Sequence, residues 1–186
     1  MSVNRIAGRY AKSIIDLAVE RNELETVHED IILLQTVIKQ NRNFYLMLKS
    51  PIIKEDKKKK IIYSAFAGRL SDMMMKFLNI IISKKREGYI PEIIDAFIVQ
   101  YNKINGITPV KLTTAVKLDE SLRSRIIEII KRKYNLDHIE LNSIVDEDII
   151  GGFILEFEGK LYDASIAHQF DELKQELFKN SYIKRI

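Results

Sequence analysis

The spacing of the apolar residues in this chain changes at Gly106. Before that glycine, apolar side chains recur every three or four residues, as Tyr10 and Ile14 do, which is the spacing of one face of an α-helix. After it, residues such as Val110 and Leu112 alternate with their neighbours, as they do in a half-buried β-strand. The change predicts a mainly α fold in which a helical domain is followed by a small α+β domain.

The first domain, residues 1–105, contains five or six segments of helical period joined by short links, which is typical of a compact bundle. Pro51 disfavours a helical conformation at Ser50, so we expect Ser50 to cap the helix that follows it. Ser71 is the expected cap of the next helix. The last helix of this domain is expected to stop at Gly106.

The second domain, residues 106–186, mixes strands and helices. Asp119 is the expected cap of a helix between two strand-like segments, and Glu158-Gly159 is expected to form the tip of a hairpin. An amphipathic helix from about Ser165 closes the chain. The residues expected to face inward from the helix after Asp119 are Leu122, Ile126, Ile129 and Ile130.

The composition excludes several classes of protein. The chain has no cysteine, so it has no disulfide, thiolate metal site or cysteine nucleophile. Its amino terminus lacks the features of a secretory signal and no run approaches the ~18 apolar residues of a membrane span, so we expect a soluble cytoplasmic protein. Residues 1–105 hold 18 Lys+Arg and 12 Asp+Glu (+6), and residues 106–186 hold 12 and 14 (−2). Neither bias indicates a dedicated nucleic-acid binder, but the asymmetry indicates two parts with different partners.

Two adjacent glycines, Gly151 and Gly152, could belong to a phosphate loop, a metal loop or a tight bend. A phosphate loop places its glycines at the start of a helix, whereas these precede the β-rich run Phe153–Phe157. The consecutive acids Asp146–Asp148 lack the spaced ligands and distal bidentate carboxylate of a calcium loop. A bend that leads into a strand is therefore the favoured interpretation.

Asp163, Ser165 and His168 superficially resemble a catalytic trio. Members of a triad usually come from separate segments, because a nucleophile, a base and an orienting acid must converge in space. Within one strand-to-helix junction, Asp163 or Ser165 is better interpreted as a helix cap, and His168 is expected to be exposed. We predict no catalytic residue, no cofactor and no metal ligand in this chain.

Two other features are open to a binding interpretation. The run Lys57–Lys60 is expected to be a solvated helix start, with weak attraction to an acidic partner or membrane surface as the lesser alternative. The pairs Ile14-Ile15 and Ile80-Ile81-Ile82 present apolar residues on more than one helix face. A helix that buries only one apolar face in a bundle does not need apolar residues on a second face. The extra apolar residues therefore indicate a binding surface on the first and fifth helices.

Four stretches of the chain resemble the delta subunit family of bacterial F-type ATP synthases, which includes the mitochondrial oligomycin-sensitivity-conferring protein. They are AGRYAKSIIDLAVE (7–20), LKSPIIKEDKK (48–58), FLNIIISKKREGYIPEIIDAF (77–97) and VDEDIIGGFILEFEGKLYDASI (145–166). The last stretch is the most specific, because an acid, paired glycines, an apolar strand, a hairpin glycine and Asp-x-Ser follow in order. The likeness covers nearly the whole chain in register.

The resemblance implies an amino-terminal six-helix bundle and a smaller carboxy-terminal domain. It also implies a non-catalytic stator subunit at the cytoplasmic face of the bacterial plasma membrane, associated with the membrane only through the complex. The bundle is expected to bind amino-terminal helices of the alpha subunits of the catalytic head. The carboxy-terminal domain is expected to bind the b subunits of the peripheral stalk, so that the head resists rotor torque during proton-driven ATP synthesis.

The resemblance also implies site residues. The alpha-binding groove would have Tyr10, Ala11 and Ile14 on one wall, and Ile80 with Lys84 on the other. The structural signature would comprise Gly151, Gly152, Gly159, Asp163 and Ser165.

The chain departs from the family at two places. Ser83–Arg86 stands where the family often has a short turn with glycine before an arginine, which leaves the end of the fifth helix uncertain by a turn. Phe170 replaces a more usual leucine, which is expected to affect only packing. The alternative from another class is a basic helical nucleic-acid-associated protein, favoured by a pI of about 9.1 and the lysine run.

Overall fold

A computed structural model describes residues 3–134, 136 and 138–180 of the chain, which fall into two compact units divided between Tyr101 and Asn102. The amino-terminal unit contains α1 (Val3–Glu20), α2 (Leu24–Gln40), α3 (Arg42–Lys49), α4 (Glu55–Phe66), α5 (Asp72–Ser83), a 3-10 turn (Glu87–Tyr89) and most of α6 (Ile90–Ile104). The carboxy-terminal unit contains β1 (Ile107–Thr114), α7 (Glu120–Tyr134), β2 (His138–Val145), a 3-10 turn (Glu147–Ile149), β3 (Phe153–Phe157), β4 (Lys160–Asp163) and α8 (Ile166–Asn180). The fold is mainly helical with a small four-stranded sheet, as the change of period at Gly106 predicts.

The amino-terminal unit encloses a core to which each of its six helices contributes. Residues with almost no exposed surface include Ala11, Ile31, Phe66, Met74 and Phe97. Polar anchors fix the helices around this core. Tyr101 of α6, whose pKa is raised to about 12 by burial and by Glu25, donates a hydrogen bond to the Glu25 carboxylate at 2.7 Å and stacks on His28.

The caps predicted at Ser71 and Asp119 are confirmed. The Ser71 hydroxyl accepts a hydrogen bond from the Met74 amide at the start of α5, and Asp119 accepts one from the Leu122 amide at 2.7 Å at the start of α7. The prediction that Ser50 caps the following helix is wrong, because Ser50 is the C-cap of α3 and α4 begins only after Lys54. A bent segment, residues 51–53, separates Ser50 from the helix that it was predicted to cap.

The carboxy-terminal unit has one sheet with strand order β2-β1-β3-β4. β1 and β2 are parallel and are joined through α7, whereas β3 is antiparallel to both of its neighbours, β1 and β4. The alternation predicted for β1 is confirmed, since Val110, Leu112 and Thr114 are buried. Leu112 faces Leu155 across the β1–β3 pair, so the core of this unit lies against one face of the sheet.

The buried face of α7 differs from the prediction. Ile126 and Ile130 pack against the sheet as expected, but Leu122 and Ile129 are 46% and 63% exposed. Ile127 and Tyr134 take part in the packing instead. The buried stripe is thus turned by about one residue, or 100° of helix, from the predicted one.

Among the described residues, no helix combines the length and the apolar character needed to cross a membrane.

Candidate partner-binding site

Helix α1 has a buried face and, beside it, a half-exposed face. The side chains of the buried face are Ala7, Ala11, Ile14, Ile15 and Ala18. Ile6 and Tyr10, four residues apart, begin the neighbouring face, which continues through the exposed Ser13. Small residues at the buried positions allow close packing, and they leave Tyr10 at the edge of the core.

Two of the predicted groove residues therefore lie in the core of the free protein. Ala11 is 0% exposed and Ile14 is 1% exposed, so neither presents a surface to a partner. Successive residues on a helix are 100° apart, and Ala11 next to Tyr10 is already turned inward. The apolar surplus predicted at Ile14-Ile15 is also absent, because both isoleucines are buried. On this side of α1 the accessible side chains are those of Ile6, Tyr10 and Ser13, whereas Ala11 and Ile14 of the predicted wall are buried.

Helix α5 contacts α1 beside the groove, and the two residues predicted for the opposite wall, Ile80 and Lys84, are both exposed. The ring of Phe77 meets the ring of Tyr10 edge-on, with centroids 6.4 Å apart. Ile80 lies three residues further on the same face and is 54% exposed, although its neighbours Ile81 and Ile82 are buried. An exposed isoleucine beside a half-buried tyrosine forms an apolar strip on the surface of the unit.

Both ends of α5 are fixed. At its start, the buried Asp30 of α2 accepts a hydrogen bond from the Ser71 amide at 3.0 Å. At its end, the Lys85 amide donates to the Ile82 carbonyl, and the Arg86 amide donates to the Ile81 carbonyl at 3.0 Å. These two bonds form a Schellman motif, which determines where the chain leaves the helix.

The Schellman motif resolves the uncertain end of the fifth helix. Helix α5 stops at Ser83, and Lys85 adopts the left-handed conformation with φ of 55°. Glycine is favoured at that position because it lacks a Cβ atom, and the resemblance places a glycine in this turn. Lysine preserves the turn at a conformational cost, and Arg86 follows with its backbone held in place.

Arg86 lies over Tyr10. Its guanidinium donates a hydrogen bond to the Tyr10 hydroxyl at 3.1 Å, and its central carbon is 5.6 Å from the centre of the ring. Together with three residues of α1, this pair lines an open groove of about 320 Å³. The lining residues, which define the α1/α5 groove, are Ile6, Arg9, Tyr10, Ser13 and Arg86.

The sequence prediction missed Arg9 and Arg86 at this groove. Arg9 precedes Tyr10, and its position on the exposed side of α1 could have been read from the helical period. Arg86 lies beyond α5, and only the geometry of the turn brings it back to α1. Sequence spacing carries no signal for such a return.

A buried lysine anchors the segment next to Arg86. Lys58 is 2% exposed, and its ammonium group donates to the carbonyls of Leu48 and Ser50 and to the Glu87 carboxylate at 2.5 Å. This is a correction for one member of the lysine run, which was predicted to be solvated. Because α3 ends with carbonyls that have no partner within the helix, a buried ammonium can bind there and tie α3, α4 and the turn after α5 together.

The paired glycines form a bend, and the predicted interpretation is correct. Gly152 has φ of 75°, and a Cβ atom there would clash with the Ala164 carbonyl oxygen and lie 3.1 Å from the Cα of Ser165. The Ala164 amide donates to the Phe153 carbonyl, and the Ile166 amide donates to the Gly151 carbonyl at 3.0 Å. The start of β3 thus passes directly against the junction between β4 and α8.

The rest of the signature is also structural. Gly159 has φ of 73° at the tip of the β3–β4 hairpin, and Ser165, 2% exposed, accepts a hydrogen bond from the His168 amide as the cap of α8. Asp163 accepts from the Ser165 amide, and its hydrogen bonds from Ser165 hold the pKa of the Asp163 carboxyl below its usual value. The hydrogen bonds of Asp163 and Ser165 within this junction are those expected at the start of a helix.

Helix α8 exposes its apolar side. Ile166, Phe170 and Leu173, which follow one another at spacings of four and three residues, are 39%, 54% and 55% exposed. The replacement at Phe170, which was expected to affect only packing, therefore changes a surface side chain. This apolar strip, defined by these three residues, is named the α8 face.

Comparisons with known proteins agree with this arrangement. A protein-family profile described as "ATP synthase delta (OSCP) subunit" matches residues 6–177. The chain is 34% identical to ATP synthase subunit delta of Christiangramia forsetii over 186 residues, which is 100% of both chains. It is 34% identical to ATP synthase subunit delta of Cytophaga hutchinsonii over 174 residues, 94% of each chain.

A structural likeness extends the sequence comparison. The fold is similar to that of a chain in the cryo-EM structure of the Toxoplasma gondii mitochondrial ATP synthase hexamer, with a TM-score of 0.72. The match covers 92% of this chain and 97% of that chain at 20% identity. At that identity the likeness shows a shared fold.

Proposed function

The chain belongs to the ATP synthase delta (OSCP) subunit family and is thus a non-catalytic stator component of an F-type ATP synthase, and we propose that it joins the catalytic head to the peripheral stalk through its two units. The amino-terminal domain predicted for residues 1–105 would act as one six-helix bundle that binds the head. The carboxy-terminal domain predicted for residues 106–186 would bind the b subunits of the stalk. Held at both ends, the subunit would keep the head from turning with the rotor.

The α1/α5 groove is the observation that carries the head-binding part of this proposal. An amphipathic helix binds such a groove by placing apolar side chains at i, i+3 and i+4 against it. Tyr10 and Phe77 offer an aromatic floor, and the exposed Ile80 extends the apolar surface along α5. We propose that an amino-terminal helix of an alpha subunit lies along this strip and contacts Tyr10, Ile80 and Lys84.

The buried residues Ala11 and Ile14 would affect partner binding only indirectly. Ala11 and Ile14, which the resemblance implies as contacts, would support the wall from the core side. Their packing holds α1 against the unit, and so it fixes the position of the Tyr10 ring. Direct contact with a partner would fall to Ile6, Tyr10 and Ser13.

The α8 face supports the stalk-binding part. Its three apolar residues lie along one side of the helix and are open to solvent in the isolated chain. Contiguous exposed apolar surface of this kind commonly marks a protein interface. We propose that a helix of a b subunit covers Ile166, Phe170 and Leu173, and that the bend at Gly152 fixes the direction in which α8 leaves the sheet.

These contacts would place the subunit at the cytoplasmic face of the bacterial plasma membrane, held there only through the complex. The alternative function in nucleic-acid binding has no support from the family assignment. One member of the lysine run that favoured it, Lys58, is buried and paired with Glu87.

A peptide that copies the amino terminus of the alpha subunit tests the head-binding part. The substitution Ile80→Asp places a charge on the proposed interface, and we expect it to weaken peptide binding by about 100-fold or more, since burying an unpaired charge is costly. Titration calorimetry measures the affinity, and far-ultraviolet circular dichroism checks that the helix content is unchanged.

The matched control is Ile61→Asp. Ile61 is 42% exposed, close to the 54% of Ile80, but it lies on α4, whereas the groove is lined by α1 and by Arg86 just beyond α5. We expect this variant to bind the peptide as tightly as the unsubstituted protein. Equal losses in both variants, or a loss in neither, would show that the peptide does not use the α1/α5 groove.

A further inference from the structure

The α1/α5 groove is bordered by positive charge. Two of its five lining residues, Arg9 and Arg86, are arginines. No acid precedes Asp16 in α1, and Lys84 and Lys85 precede Arg86. The wall residues thus combine an aromatic floor with a strongly basic rim.

This positive charge is not balanced within the described part of the chain. Neither Arg9 nor Arg86 has a carboxylate within ion-pair distance there. The acid nearest to Arg86 in sequence is Glu87, and its carboxylate is turned inward onto the ammonium group of Lys58. Like charges that converge on one groove without a counter-charge disfavour the free state and favour an acidic partner.

Arg86 is held in a position to receive such a partner. Its amide is fixed by the Ile81 carbonyl, and its guanidinium rests on Tyr10, a neutral acceptor that leaves the charge uncompensated. A guanidinium has five N–H donors, and the bond to Tyr10 uses one of them. The remaining donors can form paired hydrogen bonds to a carboxylate with little loss of side-chain freedom.

From this charge pattern we infer that the α1/α5 groove selects an acidic amphipathic helix, one carboxylate of which lies between Arg9 and Arg86 as the helix passes Tyr10. The inference rests on the proposed function and names the chemistry by which the groove recognises its partner. Apolar residues would provide most of the affinity, and the carboxylate would fix the register and direction of the helix.

The probe is a synthetic peptide that copies the amino terminus of the alpha subunit, together with versions in which each Glu or Asp is replaced singly by Gln or Asn. The full-length protein is titrated with each. We expect one neutralised peptide to bind about tenfold more weakly than the native peptide, with smaller changes for the others.

A double-mutant cycle assigns that loss to the arginines. Arg86→Gln should weaken the native peptide about tenfold but should hardly change the affinity for the neutralised one. Arg86→Lys keeps the positive charge but lacks the planar guanidinium, so its affinity for the native peptide should lie between those of the unsubstituted protein and Arg86→Gln. Arg9→Gln should behave like Arg86→Gln with a smaller loss, because Arg9 lacks the support of Tyr10 and the Schellman motif.

Arg5→Gln is the matched control, since Arg5 is an exposed arginine of α1 outside the groove lining. We expect little effect from it. The inference is overturned if Arg5→Gln matches Arg86→Gln, or if Arg86→Gln weakens native and neutralised peptides equally. Displacement of the peptide by a short single-stranded oligonucleotide would also overturn it, because the arginines would then form a phosphate site.

The two proposals fail in different ways. If every neutralised peptide binds as tightly as the native one while Ile80→Asp still prevents binding, the carboxylate has no role and the groove remains. If no version of the peptide binds the unsubstituted protein, the proposed head-binding function itself is wrong.

Discussion

The two units of this subunit differ in the fraction of their large apolar residues that is buried. Among the large hydrophobic residues of the described chain, the amino-terminal unit has 22 buried and 10 exposed, whereas the carboxy-terminal unit has 7 buried and 14 exposed. Small domains bury a smaller fraction of their surface, but the α8 face is also a continuous strip rather than scattered residues. The first unit therefore encloses most of its large apolar residues in a core, whereas the second leaves most of them exposed in the isolated chain.

The largest expected effect is at the bend of the carboxy-terminal unit. Gly152→Ala adds a Cβ atom against the Ala164 carbonyl at a φ of 75°, so we expect a loss of more than about 3 kcal/mol in stability, enough to unfold a unit with so small a core. Hydrogen exchange of the full chain should show loss of protection in β3, β4 and α8, with α1 to α5 unchanged.

The control for that substitution is Gly159→Ala. Gly159 has nearly the same φ, 73°, but open space around its Cα atom, so only the conformational cost of about 1–2 kcal/mol applies. Similar losses at both glycines would mean that close packing at the bend contributes nothing. Loss of protection in α1 to α5 would mean that the two units do not differ in stability as described.

The second-largest expected loss of stability comes from a substitution in the core of the amino-terminal unit. Lys58→Met removes the ammonium group that satisfies the Glu87 carboxylate and the end of α3, so we expect a destabilisation of about 3–5 kcal/mol. Chemical denaturation monitored by circular dichroism measures it. Addition of Glu87→Gln to the same chain should recover part of the loss, since the buried charge is then absent.

Lys57→Met serves as the control within the same lysine run. Lys57 is exposed, and its replacement should change stability by no more than about 0.5 kcal/mol. If the two lysine variants are equally stable, the buried Lys58–Glu87 pair does not stabilise the amino-terminal unit. The two units then differ less in how their interiors are stabilised.

The smallest expected effect is a gain. Lys85→Gly removes the strain of a lysine at φ of 55°, so we expect about 0.5–1 kcal/mol of added stability in thermal unfolding, with peptide binding unchanged. Asn22 occupies the equivalent turn after α1 at φ of 56°, and asparagine tolerates this conformation, so Asn22→Gly should gain less. A loss of stability from Lys85→Gly would mean that the lysine side chain makes a contribution that the turn geometry does not reveal.

The sequence predicted the features that depend on local patterns. The period change at Gly106, the caps at Ser71 and Asp119, the hairpin tip at Gly159 and the bend at the paired glycines follow from spacing and residue type. Each is determined within a few residues of chain, which is the range over which such patterns carry information.

The features that depend on long-range contacts were missed or misplaced. Lys58 is indistinguishable in sequence from its lysine neighbours, and only the end of α3 and Glu87 make it a buried residue. Arg86 reaches Tyr10 across 76 residues of sequence. The inward faces of α1 and α7 were each misjudged by about one residue, because several adjacent isoleucines satisfy the helical period equally well.

Substitution of one residue on each proposed surface tests whether the subunit has two independent binding surfaces. Full-length Ile80→Asp and Phe170→Asp proteins are each titrated against the isolated catalytic head and against the soluble part of the b subunits. We expect the Ile80→Asp protein to lose binding to the head and keep binding to the b subunits, and the Phe170→Asp protein to lose binding to the b subunits and keep binding to the head. Loss of both partners in either variant, or retention of both, would contradict it.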